Sequence, residues 1–324
     1  MTTAILLPWV VFTVFVVGML ALDLGVFHRK SHAVSIKEAT IWSIVWVTLS
    51  LVFNLVILYW QGREPALEYL TGYIIEKSLS VDNIFVFVLI FTAFKVPAAY
   101  QHRVLYWGIL GAFVMRAVMI GVGAALITRF HWIIYVFGFF LIYTGIKIAV
   151  QKEADHVHID DNPMVKLVRR RFRMTSHYEG EKFYIRDEMG KIVLTPLVLV
   201  LIVIETSDLI FAVDSIPAIF AVTTDPFIVY TSNVFAILGL RALYFLLAGI
   251  IDRFYYLRAA LAIILTFVGV KMVISEYYKI PIVISLAVIL GILALAILAS
   301  VIRARRLGPA ADVVPDPRHI PPEE

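Results

Sequence analysis

The chain contains no cysteine. Disulfide bonds, thiol redox chemistry and thiolate metal ligands are therefore all excluded for this sequence. Charged residues are also scarce, at 16% of the 324 residues, whereas 61% are hydrophobic. Soluble domains usually have about 25% charged and about 45–50% apolar residues. This composition predicts a membrane protein.

The apolar residues form long runs and lack the short alternating pattern of an outer-membrane barrel. A run of about 20 residues is what a helix needs to cross the hydrocarbon core. The predicted fold class is therefore all-α, a polytopic helical membrane protein. Nine spans fit, at about residues 4–27, 40–60, 68–94, 104–128, 131–150, 193–216, 227–250, 255–275 and 281–302. The first has no basic flank and no small-residue cleavage pattern, which favours a retained span over a signal peptide.

Lysine and arginine residues concentrate in alternate connections between these spans. They lie mainly after odd-numbered spans, and the densest group is Arg169, Arg170, Arg171 and Arg173. Because basic connections stay in the cytoplasm, the N-terminus is predicted outside and the C-terminus in the cytoplasm. The basic run is interpreted as facing anionic lipid, so the lipid bilayer is a predicted partner and nucleic acid is not.

An internal repeat relates two groups of three spans. Asp82-Asn-Ile-Phe85 resembles Asp208-Leu-Ile-Phe211, and at nearly constant separation Arg116 corresponds to Arg241 and Lys147 to Lys271. Three spans per unit force the two units to cross in opposite senses. This predicts an inverted three-plus-three helix repeat, an architecture that many secondary transporters use.

The repeat divides the chain into six predicted segments. They are two N-terminal helices in 1–67, the first repeat in 68–150, a cytoplasmic loop in 151–192, the second repeat in 193–275, the last helix in 276–302 and a disordered tail in 303–324. The loop contains His156 and His158 beside acids, a weak metal pattern for which a solvated loop is the preferred interpretation. A short amphipathic helix is expected around 163–173.

Acidic residues occur inside the predicted spans, where a charge costs about 2.5–3.5 kcal/mol on insertion scales. They are Asp23, Glu76, Asp82, Glu205, Asp208 and Asp214. One interpretation is structural, with the carboxylates neutralised by Arg116 and Arg241. The other is a cation site, for which Asn83 and Ser207 would add neutral oxygen ligands.

The spacing of the acids in the sixth span bears on such a site. Glu205 and Asp208 share a helix face, whereas Asp214 would point to the opposite side of a regular helix. Pro217 cannot bond the carbonyl of Val213, so we expect the helix to loosen or stop there and bring Asp214 back.

The chemistry of this set favours hard divalent cations. Oxygen ligands without cysteine or histidine suit Mg²⁺, Ca²⁺ or Mn²⁺. A carboxylate beyond those that the ion needs could carry a proton in exchange, a hypothesis that transport independent of a pH gradient would exclude. No catalytic motif or nucleotide-binding loop is present, so neither an enzyme nor a permanently bound cofactor is predicted.

The chain resembles the TerC family of integral membrane proteins, within it the bacterial Alx-like branch, from about Ala21 to Leu247. The resemblance rests on Leu22-Asp-Leu-Gly-Val-Phe-His28, Tyr73-Ile-Ile-Glu-Lys-Ser-Leu-Ser-Val-Asp-Asn-Ile-Phe85, Gln101-His-Arg-Val-Leu-Tyr-Trp-Gly-Ile-Leu-Gly111 and Ile204-Glu-Thr-Ser-Asp-Leu-Ile-Phe-Ala-Val-Asp-Ser-Ile-Pro-Ala218. It implies export of divalent manganese from the cytoplasm. The family's intramembrane acids fall on Glu76, Asp82, Glu205, Asp208 and Asp214.

Two functions remain open at this point. The first is a secondary exporter of divalent cations. The resemblance implies that the cation is manganese, which is then the transported ion and not a cofactor. The second is a non-transporting membrane scaffold of a stress-response complex, since family names also record tellurium resistance and a redox role. Without cysteine or a haem- or flavin-binding motif, any redox effect of this chain would be indirect.

Overall fold

The computed structural model describes residues 2–25, 36–130, 132–150, 163–187, 189–248 and 255–307. Within these residues the chain is almost entirely helical. The helices are α1 (Thr2–Gly25), α2 (Ile36–Trp60), α3 (Arg63–Ala93), α4 (Ala98–Arg129), α5 (Ile133–Val150), α6 (Pro163–Arg171), α7 (Pro196–Phe220), α8 (Pro226–Leu238), α9 (Leu240–Leu247), α10 (Leu257–Ile274) and α11 (Ile282–Leu307).

Within the described part of the chain, seven helical segments are long and apolar enough to cross a membrane. They are α2, α4, α5, α7, α8 with α9, α10 and α11 up to Arg303. α1 is apolar over Leu6–Leu20, and α3 has Glu76, Lys77 and Asp82 near its middle. The predicted helical, multi-pass membrane protein is thus confirmed, whereas nine spans and the inverted repeat stay predictions.

The loop between α5 and α7 also contains a small β-hairpin, which the all-α prediction did not include. Strands β1 (Tyr184–Arg186) and β2 (Ile192–Leu194) are antiparallel, with Ile185 opposite Val193. α6 precedes the hairpin, where the sequence predicts an amphipathic helix, and its Val165 is fully buried. The Tyr178 hydroxyl donates to the carbonyl of Phe94 at 2.7 Å, so the loop packs on the end of α3. His156 and His158 lie outside the described residues.

Two apolar clusters form the core, and they lie at opposite ends of the helices. One contains Tyr69 and Ile75 of α3, Ile120 of α4 and Ala212, Ile216 and Phe220 of α7. The other contains Ile84, Phe87 and Phe91 of α3, Val104 of α4 and Leu197, Val200 and Ile204 of α7. Each of these three helices passes from one cluster to the other near its middle, and the charged residues lie at these crossings.

α5 and α10 pack closely because glycines line their contact. A Cβ on Gly138 would lie 3.0 Å from the carbonyl oxygen of Gly269, and a Cβ on Gly145 would lie 2.7 Å from that of Ala262. Small residues let transmembrane helix backbones approach each other in this way. The contact joins the third helix of one predicted repeat to the third helix of the other.

The prediction that the helix loosens or stops at Pro217 is wrong. α7 continues through Pro217 to Phe220, and the amide of Ala221 donates to the carbonyl of Pro217 at 3.0 Å. The residues after the proline are fully packed in the core, which holds the helix together despite the lost bond to Val213. The interruption occurs instead at Gly239, between α8 and α9, inside the span predicted at 227–250.

Candidate cation site in the membrane core

Arg116 of α4 lies at the centre of the charged residues and is only 1% exposed. Its guanidinium donates two hydrogen bonds to the Asp208 carboxylate, from Nη2 at 3.1 Å and from Nε at 3.3 Å. Nη1 forms a short ion pair with Glu76 and also donates to the Asn233 side-chain oxygen at 3.1 Å. A planar guanidinium is well shaped to hold two carboxylates in this way.

Three helices supply the groups around Arg116, which itself belongs to α4. Glu76 belongs to α3, Asp208 to α7 and Asn233 to α8. The Asn233 amide donates to Glu76 at 3.2 Å, and the Asn83 amide of α3 donates to Asp208 at 3.4 Å. All of these side chains are buried. The cluster therefore ties together the helices on both sides of the predicted repeat boundary.

Asn233 is a member of this cluster that the sequence argument did not single out. It is a neutral residue in α8, and every residue of that helix from Phe227 to Leu238 is buried. The signal available in the sequence was an amide in the middle of an apolar run, which is costly unless it is hydrogen-bonded. Asp225 caps the N-terminus of α8, where its carboxylate accepts from the amide of Phe227 at 2.8 Å, and Pro226 is the first helical residue.

Glu205 lies one turn before Asp208 in α7, and its carboxylate rests against Gly111 of α4. A Cβ on Gly111 would be only 2.6 Å from Glu205 Oε2 and closer still to Oε1. The missing side chain at this position therefore makes room for the carboxylate. Glu205 remains half-buried at the edge of the Arg116 cluster.

Gly111→Ala is expected to displace the Glu205 carboxylate while the protein still inserts, and for a cation transporter this predicts a several-fold lower rate of transport. The physical reason is that a methyl group cannot occupy the space that the carboxylate now fills. The measurement is metal efflux in cells at matched membrane abundance. Gly121→Ala is the control in the same helix, because nothing lies within 4 Å of its Cβ position. Equal efflux from both variants would contradict this role of Gly111.

Asp214 is not brought to Arg116 in this structure. Its carboxylate accepts a hydrogen bond from the Thr144 hydroxyl of α5 at 3.3 Å. Because α7 stays helical through Pro217, Asp214 keeps the opposite orientation that a regular helix gives it. The sequence-predicted acids are thus divided between two places, one around Arg116 and one facing α5.

The remaining predicted residues have separate environments. The Ser207 hydroxyl donates to the carbonyl of Val203 in its own helix at 2.8 Å, and Arg241 is buried in α9. Asp23 and Asp82 lie in α1 and α3, but their side chains are outside the part of the chain that the structure describes. Among the described side chains, no three His, Asp or Glu residues converge as metal ligands; the guanidinium lies between Glu76 and Asp208 instead.

Comparison with known proteins identifies the family. Residues 61–307 match the model described as "Integral membrane protein TerC family". A membrane protein of Myxococcus xanthus is 53% identical over 308 residues, which cover 94% of each chain. A protein of Salmonella typhi named "Putative membrane-bound redox modulator Alx" is 55% identical over 300 residues, 90% of this chain and 92% of that one.

An Escherichia coli (strain K12) protein with the same printed name is 54% identical over 296 residues, 89% of this chain and 92% of the relative. No solved structure matches the chain. The family model covers most of the helices described above, including the residues around Arg116. The resemblance read from the sequence is therefore confirmed, and the chain belongs to the TerC family of integral membrane proteins.

Proposed function

We propose that the protein is a secondary transporter that exports divalent metal cations, manganese first among them, from the cytoplasm. In this proposal nine helices cross the bacterial inner membrane, with the N-terminus outside and the C-terminus in the cytoplasm. The ion site is formed by Glu76, Glu205 and Asp208 around Arg116 together with Asp82, and Asp214, which faces α5, is a separate acid of the same pathway. A carboxylate that the ion does not need exchanges a proton.

The observation that carries the proposal is the buried charged layer between the two apolar clusters. Glu76, Arg116 and Asp208 are almost fully buried, near the middle of three long helices. Ionisable residues at such a depth are costly and mark ion pathways more often than not. The apolar clusters on both sides would close the site toward each surface, as alternating access requires.

The contact between α5 and α10 supports the inverted repeat. In the predicted repeat, Gly138 corresponds to Ala262 and Gly145 to Gly269. Gly138 lies against Gly269, and Gly145 lies against Ala262. Gly138 thus contacts the counterpart of Gly145, and Gly145 contacts the counterpart of Gly138. A two-fold axis between the two helices produces this pattern of contacts. Such an axis in the membrane plane relates the halves of inverted-repeat transporters.

In this proposal Arg116 neutralises the site when no metal ion is bound. Two carboxylates close together repel each other when no cation is present, and the guanidinium neutralises that repulsion. A divalent ion entering from the cytoplasm would compete with Arg116 for Glu76 and Asp208. The side-chain oxygens of Asn83 and Asn233 would complete an all-oxygen ligand set, which suits Mn²⁺, Mg²⁺ and Ca²⁺.

Asp208→Asn is expected to abolish manganese export while the protein remains in the membrane. The amide keeps the shape of the side chain but removes the charge that a divalent ion requires. The measurement is cellular manganese by elemental analysis in manganese-loaded cells at matched membrane abundance. Asp187→Asn makes the same chemical change in the hairpin loop, where Asp187 accepts from the amides of Met189 and Lys191, and should export normally. Full export by Asp208→Asn would refute the site.

The second candidate is a non-transporting membrane scaffold of a stress-response complex, for which the printed name "Putative membrane-bound redox modulator Alx" of two relatives is compatible with a redox-related setting. The observation in its favour is that Glu76 and Asp208 are already satisfied by Arg116. For a scaffold, Asp208→Asn should lower the abundance of the protein rather than remove transport selectively, and wild-type expression should leave cellular manganese, calcium and magnesium unchanged. The same experiment therefore separates the two functions.

A further inference from the structure

The helical segment formed by α8 and α9 is interrupted at Gly239, and a lysine ammonium lies at the interruption. Carbonyl groups in the last turn of a helix have no amide donor within the helix. The Nζ atom of Lys77, in α3, donates to one of the carbonyls at the end of α8, that of Ala236, at 3.2 Å. The lysine therefore brings a positive charge to the carbonyl end of α8, inside the bundle.

The interruption leaves just enough space for this ammonium. A Cβ on Gly239 would lie 2.7 Å from Lys77 Nζ and 3.2 Å from the Cβ of Trp46 in α2. Glycine at position 239 thus allows the lysine to reach the helix end, and α2 closes the space from the other side.

Helix α8 connects the Lys77 ammonium with the Arg116 cluster. Glu76 and Lys77 are consecutive in α3, and both bind the C-terminal half of α8. Glu76 accepts from the Asn233 amide at 3.2 Å, and Lys77 donates to Ala236 three residues later. A charge at the end of α8 is therefore placed next to the residues that hold the two buried carboxylates.

Helix ends of this kind bind monovalent cations in transporters. The C-terminal end of a helix carries a partial negative charge, and the carbonyls of discontinuous helices coordinate coupling ions. Here the end of α8 provides that environment, but a covalently attached ammonium fills it. Glu76 and Asp208 carry two negative charges and Arg116 carries one positive charge, and the Lys77 ammonium adds a further positive charge next to Glu76.

We propose that Lys77 is a tethered cation that occupies a monovalent-cation position at the carbonyl end of α8. The inference rests on the proposed exporter, because it states what balances the charge of that transporter in place of a bound alkali ion. In the wild-type protein the lysine consequently leaves no room for Na⁺ or K⁺ at this position. Removal of the lysine should convert the position into a site that an alkali cation can fill.

The test uses purified full-length protein and contains no manganese. Thermal unfolding is followed in sodium, potassium and choline chloride at equal ionic strength. The Tm of Lys77→Ala should be about 5 °C higher in the sodium or the potassium salt than in choline chloride. This is the effect of a ligand that binds only the folded state. Wild type should have the same Tm in all three salts. Lys77→Ala with Gly239→Ala is the matched control, since its extra methyl group fills the vacated position and should remove the salt effect.

The outcomes separate this inference from the exporter itself. Equal Tm values of folded Lys77→Ala in the three salts would overturn the tethered cation, whatever the manganese measurements give. Should that variant fail to fold in choline, folding in sodium or potassium alone supports the proposal. If it folds in none of them, Lys77→Ser, whose hydroxyl is an additional oxygen ligand, takes its place. Failure of both in every salt would make Lys77 a structural hydrogen-bond donor only and would overturn the proposal.

Discussion

Arg116→Gln is expected to destabilise the protein by about 3–5 kcal/mol, because removal of one partner from a buried ion pair leaves charge uncompensated. Glu76 and Asp208 are 1% and 3% exposed and lie on either side of the guanidinium. Without it, two carboxylates would face each other in a region of low dielectric constant. The measurement is the free energy of unfolding of purified protein in mixed detergent micelles.

Arg103→Gln is the matched control for this variant. Arg103 lies in the N-terminal part of α4, 3.7 Å from Glu181, and its side chain is 39% exposed. Exposed pairs of this kind contribute about 0–1 kcal/mol, so the control should stay close to wild type. The double variant Glu76→Gln with Arg116→Gln should recover part of the loss, because one of the two uncompensated charges is gone. A loss for Arg116→Gln no larger than for Arg103→Gln would show that the cluster is not energetically important.

Arg116→Gln also tests whether the two buried carboxylates bind the metal ion that the protein is proposed to export. In Arg116→Gln the two carboxylates are no longer held by an internal cation, so a divalent ion can neutralise them without competition. If Glu76 and Asp208 bind manganese, Mn²⁺ should raise the Tm of Arg116→Gln more than that of wild type. A purely structural ion pair predicts no such difference between the two proteins.

The sequence predicted the charged centre well because charges in apolar runs are conspicuous. Glu76, Asp208 and Arg116 stand out against long hydrophobic segments, and the structure brings the three together. Asn233 did not stand out, since an uncharged amide disturbs an apolar pattern much less. Its role depends on the positions of Glu76 and Arg116 on two other helices, which no local pattern records.

The helix interruption shows why backbone irregularities were harder to predict. Proline is the residue most disruptive to a helix, yet Pro217 is accommodated because α7 is fully packed around it. The interruption at Gly239 instead coincides with contacts from Lys77 and Trp46, residues that are distant in the sequence. Strands β1 and β2 have only three residues each, too few for a periodic pattern. The helix through Pro217, the interruption at Gly239 and the hairpin thus depend on tertiary contacts, which a sequence pattern does not reveal.

Gly145→Ala is expected to destabilise the protein by about 1–3 kcal/mol, the usual cost of adding a methyl group to a closely packed contact. The new Cβ would lie 2.7 Å from the carbonyl oxygen of Ala262 and 2.9 Å from the amide nitrogen of Thr266, and it would collide with the Thr266 hydroxyl. Backbone atoms of α10 cannot turn away as a flexible side chain can, so the two helices must move apart. The measurement is again the free energy of unfolding in mixed micelles.

Gly269→Ala tests the symmetry of this contact. Its Cβ would lie 2.7 Å from the carbonyl oxygen of Gly138 and 2.9 Å from the amide nitrogen of Ile142, so a similar loss is expected. Gly291→Ala in α11 is the control, because its Cβ position meets nothing within 4 Å; there the higher helix propensity of alanine should even stabilise slightly. If α5 and α10 form the axis about which two repeats move, Gly145→Ala and Gly269→Ala should also reduce manganese export by similar factors. A large effect from only one of the two would argue against an axis at this contact, since related positions on a two-fold axis are mechanically equivalent.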